Sequence, residues 1–174
     1  MLKKGVIVLK TNIVLFFKKI FGCNVKHPIQ IMMDNGVTLK TRGKKAKITF
    51  EEKCYICKNT ELATNNGILS FDEKCFVNRN CVIVAQENIK IGAGTTIGPG
   101  TYIYDHDHDG KGGYITKPIT IGKNVWIGAG CIILKGVCIE DNSVVGAGTL
   151  VTFDCQRNSV VYQKRNTIIK NREF

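Results

Sequence analysis

Acidic residues are nearly missing from the first third of this chain: residues 1–58 hold 3 Asp/Glu against 13 Lys/Arg, a net of +10, whereas residues 59–174 hold 11 against 12. The basicity is therefore a property of one end, suited to an anionic membrane surface, a phosphate-bearing substrate or nucleic acid. Nucleic acid is the poorest of the three, because the aromatic residues are not interleaved with the lysines and no zinc-finger or RNA-binding signature occurs. Long apolar runs are also lacking. The N-terminal apolar stretch is broken by Lys10-Thr11-Asn12, too early to span a bilayer, and no small-residue cleavage site follows, so neither a span nor a secretory leader is expected. Histidine occurs only at His27, His106 and His108. Cysteine is plentiful at 8, but Cys54-Tyr55-Ile56-Cys57 has no second close pair, and Cys75 and Cys81 are poorly spaced as ligands. No metal is expected. Reduced thiols inside a core suit the cytoplasm. At 174 residues there is room for one folded unit with appendages.

What the sequence does have is a period of six. Ile121, Ile127, Ile133, Ile139, Val145 and Val151 share one phase, continued upstream by Ile91, Ile97 and Ile103 and before them by Phe71, Val77 and Ile83. A helix repeats every 3.6 residues and a two-sided strand every 2, so six belongs to a solenoid of very short strands and turns. Four positions after the stacked residues come Thr95, Thr101, Val125, Cys131, Val137, Ser143, Thr149 and Cys155, with Cys75 and Cys81 in the same phase. These small or β-branched residues are expected to point inward at a narrow corner, which gives at least four cysteines a structural role. Glycine directly follows the stacked residue at Gly92, Gly98, Gly122, Gly128 and Gly146, where the expectation is a turn with φ values other residues resist.

The ends and irregularities divide the chain into residues 1–25, 26–155 and 156–174. On a wheel, Leu2, Val6, Leu9, Ile13, Phe16, Phe17 and Ile20 share one face, and Lys4, Thr11, Asn12, Lys18 and Lys19 the other, so residues 2–21 read as an amphipathic helix. The first reading is that it packs on a subunit or on the solenoid end; the second is that it lies on an anionic membrane. From Val37 to Leu69 the phase blurs into degenerate first coils, with Val37, Leu39, Ile48, Ile56, Leu62 and Ile68 expected inward, and Gln86-Glu87-Asn88 marks a bulge. The tail from 156 is expected to cap the far end.

Between Ile103 and Ile121 the repeat stops, and residues 104–118 read as an extruded loop containing Asp105-His106-Asp107-His108-Asp109. Loops interrupting a regular scaffold often carry function. A histidine there can take a proton from a hydroxyl, and a neighbouring carboxylate can fix its tautomer. A solvated polar loop is the plain alternative.

The stretches Phe76–Cys81, Ile97–Tyr104, Pro118–Gly130 and Asp141–Gly148, in this order, resemble the hexapeptide-repeat acyltransferases, particularly the polysaccharide and sugar O-acetyltransferases and their maltose and galactoside relatives. The resemblance covers about residues 70–155 and implies an all-β, left-handed parallel β-helix; the hand comes from it alone. It also implies a homotrimer with sites between neighbouring subunits and acetyl-CoA as donor. Counting nine residues from the proline of the Ile-x-Pro-Gly turn, Pro99, makes His108 the implied base, with His106 second choice. Asn80, with Asp107, is implied on the acceptor side. Trp126, Gly128 and Ala129 are implied near the thioester, and Ala147 and Gly148 along the pantetheine arm. Some solenoids of this type hold zinc through three histidines, but His27 lies far in sequence from the other two.

The chain departs from the family at Val151-Thr152-Phe153-Asp154-Cys155, where relatives often continue Val-Thr-Lys-Asp and proline, and at Tyr162–Asn166, where a Gly-Asn-Pro-Ala turn is frequent. Lys164 and Arg165 could meet the CoA phosphates there, or could belong to a solvated cationic tail. The expected function is transfer of an acetyl group from acetyl-CoA to a sugar hydroxyl of a surface polysaccharide precursor, lipid-linked sugar or nucleotide sugar, in the cytoplasm or at the inner membrane face. The alternatives are a small acceptor such as serine or an antibiotic, and a non-catalytic assembly platform.

Overall fold

The structure, a computed structural model, describes residues 2–20 and 22–164. After one helix, Leu2–Ile20, the chain winds through short strands that fall in rotation into three parallel sheets. The first sheet stacks Val25–Lys26, Lys47–Phe50, Ile68–Phe71, Asn88–Ile91, Ile119–Ile121 and Cys138–Ile139. The second stacks Met32–Met33, Tyr55–Ile56, Phe76–Val77, Thr96–Ile97, Trp126–Ile127, Val144–Val145 and Val160–Val161. Thr38–Arg42, Glu61–Asn65, Val82–Ala85, Tyr102–Tyr104, Ile132–Ile133 and Leu150–Val151 form the third. This three-sided coil is a parallel β-helix of about six turns and fits the left-handed form.

The period of six is the path around the triangle. Ile121, Ile127 and Ile133 lie on successive sheets, and three repeats later each is paired in register with its successor, Ile121 with Ile139, Ile127 with Val145 and Ile133 with Val151. All six are buried, as are the small residues four positions on. The small residues do more than fill a corner. Thr95 Oγ1 donates to the Gly122 carbonyl (2.7 Å), Thr101 Oγ1 to Gly128 (3.2 Å), and the thiols of Cys75, Cys81 and Cys131 donate to Gly92, Gly98 and Gly146 (3.2 Å each) in the coil above. A cysteine here replaces a threonine in satisfying a buried carbonyl. Burial raises the Cys81 and Cys131 thiols above their ordinary range, and Cys75 is raised first by its contact with Cys54 and then by burial, which keeps these sulfurs as donors.

The glycines after the stacked residues have a different reason from the one expected. Gly92, Gly98, Gly122, Gly128 and Gly146 do not have positive φ; the left-handed turn residue comes two places later, at Gly94, Gly100, Asn124, Gly130 and Gly148. The first glycines are close-approach sites: a Cβ on Gly98 would stand 2.6 Å from the Ala129 nitrogen, and one on Gly128 2.5 Å from the Ala147 nitrogen.

In the blurred early coils Leu39, Ile48, Ile56 and Leu62 are buried and Val37 packs partly on the core, but Ile68 is exposed. Leu69 takes the inward place, because the strand alternates and Phe71 must face in. The Gln86–Asn88 bulge is present, its three N–H groups turned onto one buried carboxylate, Asp105. At the far end, Val160–Val161 pairs with Val144–Val145 and extends the second sheet past residue 155.

The helix packs on the first coil with the face that the wheel assigned as polar. Thr11 and Leu15 are buried, while Val6, Leu9, Ile13, Phe16, Phe17 and Ile20 are exposed. The edge of a first coil explains this, since it has no coil beneath it to pair its backbone. Thr11 Oγ1 accepts from the Met33 N–H (2.9 Å), and Asn12 Nδ2 donates to the Ile29 carbonyl (2.9 Å). Polar helix residues satisfy the edge, and Leu15 alone enters the core cluster. Among the described residues no helix is long and apolar enough to cross a membrane.

Candidate active site

The segment expected as an irregular loop is a two-stranded antiparallel hairpin, His106–His108 against Tyr114–Thr116, leaving the third sheet after Tyr104. Its tip is made by Asp109, whose Oδ1 accepts the N–H groups of Lys111 (2.7 Å) and Gly113 (2.9 Å), with Gly110 and Gly112 at positive φ. Those two donors, Lys111 first, hold the Asp109 carboxyl below the ordinary range. The tip closes because an ionised carboxylate can serve two backbone donors at once.

The root of the hairpin is Asp105. It is fully buried, and its carboxylate accepts from Gln86, Glu87 and Asn88, each at 2.8 Å. The same carboxylate lies 3.2 Å from His106 Nδ1. That contact places the proton on Nδ1 and leaves Nε2 as the basic nitrogen. The His106 side chain is 12% exposed, set edge-on between Tyr104 and Tyr114. His108 lies two residues on, on the same face of the hairpin, exposed and tilted against Tyr114 with ring centroids 5.0 Å apart. Asp107, between the two histidines, pairs with Lys135 of the next coil. Tyr104, His106, Asp107, His108 and Leu134 line one shallow groove of about 240 Å³. Sequence reading singled out the three central residues; it did not single out Tyr104 and Tyr114, within the same segment, or Leu134 and Lys135, which the stacking of the next coil brings to it.

The remaining expected site residues are elsewhere on the molecule. Asn80 occupies the turn from the second to the third sheet, left-handed at φ 58°, its N–H bonded to the Lys58 carbonyl. The same corner holds Gly128-Ala129 and Ala147-Gly148 in successive coils, linked by the Gly148 N–H to the Ala129 carbonyl at 2.7 Å. Trp126 stands exposed on the second sheet just before that corner. Within one chain, then, the third sheet separates two groups: histidines at one edge, and the asparagine with the small-residue corner at the other. Lys164 is exposed beyond the last strand, and Arg165 lies outside the described residues. His27 is in the first coil, where Nδ1 is 3.0 Å from the Pro28 carbonyl. Among the described residues no three His, Cys, Asp or Glu side chains converge as a metal site would require.

The family model "hexapeptide repeat of succinyl-transferase" matches residues 118–152. The repeats it spans are those with the strict period and the stacked glycines. Residues 118–152 are thus hexapeptide repeats, and they lie within the parallel β-helix. The chain is similar to nodulation protein L of Rhizobium meliloti, 46% identical over 56 residues, covering 29% of this chain and 31% of that protein. A galactoside O-acetyltransferase of Lactococcus lactis is 33% identical over 80 residues, 46% of this chain and 39% of that one. The chain thus matches between about three and four tenths of the length of these curated relatives. Among solved structures, a hexapeptide-repeat acetyltransferase from Vibrio cholerae, complexed with acetyl coenzyme A, superposes with a TM-score of 0.50 and 27% identity, covering 74% of this chain and 66% of that one.

Proposed function

We propose that this hexapeptide-repeat protein is an O-acetyltransferase that moves an acetyl group from acetyl-CoA to a sugar hydroxyl, in a homotrimer whose sites lie between subunits. The observation that carries the reading is the separation of the two residue groups across the third sheet. Neither edge alone offers both a base and a channel for a thioester, and apposition of one chain's hairpin to the next chain's corner supplies both. The outward face of that sheet suits burial, with Tyr102, Ile132 and Leu150 paired in register as an apolar column between the two edges. The likeness to a galactoside O-acetyltransferase and to an enzyme solved with acetyl coenzyme A supports the donor and the acceptor class.

In this mechanism His108, the exposed histidine of the groove, removes the proton from the sugar hydroxyl as its oxygen attacks the thioester carbonyl. The C–S bond then breaks and CoA thiol leaves. Backbone N–H groups of the small-residue corner meet the developing oxyanion, and Trp126 walls the thioester. Ala129, Ala147 and the adjoining glycines leave room for the pantetheine arm, with Asn80 and Asp107 toward the acceptor and Lys164 and Arg165 toward the CoA phosphates. No acyl-enzyme and no metal is needed. The acceptor is a polysaccharide precursor, lipid-linked sugar or nucleotide sugar, and the enzyme works in the cytoplasm.

One observation favours a second assignment of the base. Asp105 orients His106 by the contact a carboxylate makes to a catalytic imidazole, so His106 Nε2 is also a proton acceptor. Thiol release from acetyl-CoA, measured against a panel of sugars and nucleotide sugars, tests the reaction. Release that depends on a sugar is expected; a protein that neither binds nor turns over acetyl-CoA would make the solenoid an assembly platform. Loss of turnover in His108→Ala with a milder effect in His106→Ala is expected, and the reverse ranking moves the base to His106.

A further inference from the structure

The helix Leu2–Ile20 uses its polar side to finish the solenoid, and its apolar side has nothing against it. Val6, Leu9, Ile13, Phe16, Phe17 and Ile20 are all exposed and fall within an arc of about 100° on the helix. Thr11 and Leu15, the buried pair, lie on the opposite side. Lys10 borders the apolar arc on one edge and Lys19 on the other, both exposed. They belong to the strongly basic end of the chain, where 13 Lys/Arg face 3 Asp/Glu. A second copy of the helix would set these lysines against their own kind, which is costly, whereas an anionic partner is complementary to both the apolar arc and its rim.

We infer that this face docks on an anionic lipid bilayer, the helix lying in the interface with its apolar arc among the acyl chains and its lysines at the headgroups. The five lysines within the helix, at positions 3, 4, 10, 18 and 19, are incompatible with a span, and the two that border the arc, Lys10 and Lys19, are favourable at the plane of the interface. The solenoid is then held at the membrane by its first coil, because Thr11 and Asn12 fasten the helix to Met33 and Ile29. The inference does not depend on the reading of the hairpin.

The test is sedimentation of the full-length protein with vesicles of phosphatidylcholine alone and of phosphatidylcholine with phosphatidylglycerol at three to one, in low and high salt. Partitioning at least about tenfold stronger to the anionic vesicles, weakened by salt, is expected. The double substitution Leu9→Asp with Phe16→Asp touches only exposed positions; it is expected to abolish partitioning while melting temperature and oligomeric mass stay unchanged. Lys19→Gln should weaken it by about fivefold, the worth of one charge near the surface. No recovery of the unaltered protein with anionic vesicles, or equal recovery of the double variant, overturns the inference. So does a change of oligomeric mass in the double variant, which would make the face a contact between copies.

Discussion

The strictly repeating coils from Ile119 to Val151 and the hairpin that precedes them are built in opposite ways. In the coils each inward position recurs: Ile121, Ile127, Ile133 and their partners three repeats on do the same job, and neighbouring backbones bond coil to coil. In the hairpin nothing recurs. One buried carboxylate, Asp105, anchors the root, one exposed carboxylate, Asp109, closes the tip, and the histidines between them are unique. The difference separates what holds the molecule together from what gives it chemistry, so substitutions in the two regions should have separable consequences.

The largest expected effect is on rate alone. His108→Ala should lower acetyl-CoA turnover by about 10²–10⁴ in kcat while the denaturant midpoint stays within error of the parent. A fall in stability with it would mean that the hairpin histidine is structural. The converse is Ile127→Ala, fully buried in the second sheet, which should cost about 2–5 kcal/mol in chemical denaturation. Preserved kinetics per folded molecule would keep the comparison intact. Asp105→Asn should cross the divide. It puts an amide among three N–H donors and beside His106, so a loss of about 1.5–3 kcal/mol and an altered pH–rate profile are expected together.

The smallest effect is confined to the coils and to alkaline pH. Tyr55 Oη donates to Asp34 Oδ1 at 2.8 Å, and this bond raises the phenol from 10.0 to about 12. A pKa raised on folding means that the neutral form is favoured in the folded state. The contribution is therefore full below pH 10 and is lost as pH climbs toward 12. Subtracting the Tyr55→Phe denaturation midpoints from those of the parent between pH 9 and 12 should show the parent's advantage shrinking through that window. A flat difference would refute the Tyr55–Asp34 link.

Redundancy also explains what could be read from the sequence. Six stacked residues at one phase leave little freedom, so the solenoid, the corner residues and the bulge at Gln86 were legible. Ile68 was not, because the early coils have longer strands, Glu61–Asn65 and Ile68–Phe71, and the phase must be taken from Phe71 rather than counted. The glycines were correctly placed but for another reason: crowding by the next coil is a three-dimensional fact that spacing cannot express. At the hairpin the acidic cluster and its histidines stood out by composition. That Asp105 serves His106 rather than His108, and that Lys135 meets Asp107, depends on how coils stack over the hairpin root. The helix packs on the solenoid end, as the first reading expected, but by its polar side. Its wheel was amphipathic as read, yet an unfinished backbone edge took the polar side.

The central claim is that a working site needs the hairpin of one chain and the small-residue corner of another. Mixing two inactive proteins tests it most directly: His108→Ala, damaged at the hairpin, and Ala147→Phe, filled at the exposed corner, unfolded together at equal ratio and refolded. If sites form between subunits, each mixed trimer contains one interface with both halves intact, and about a quarter of the parent's thiol release should return. No activity from the mixture, with trimers formed and each variant folded, would contradict the account and place both halves of the site within a single chain.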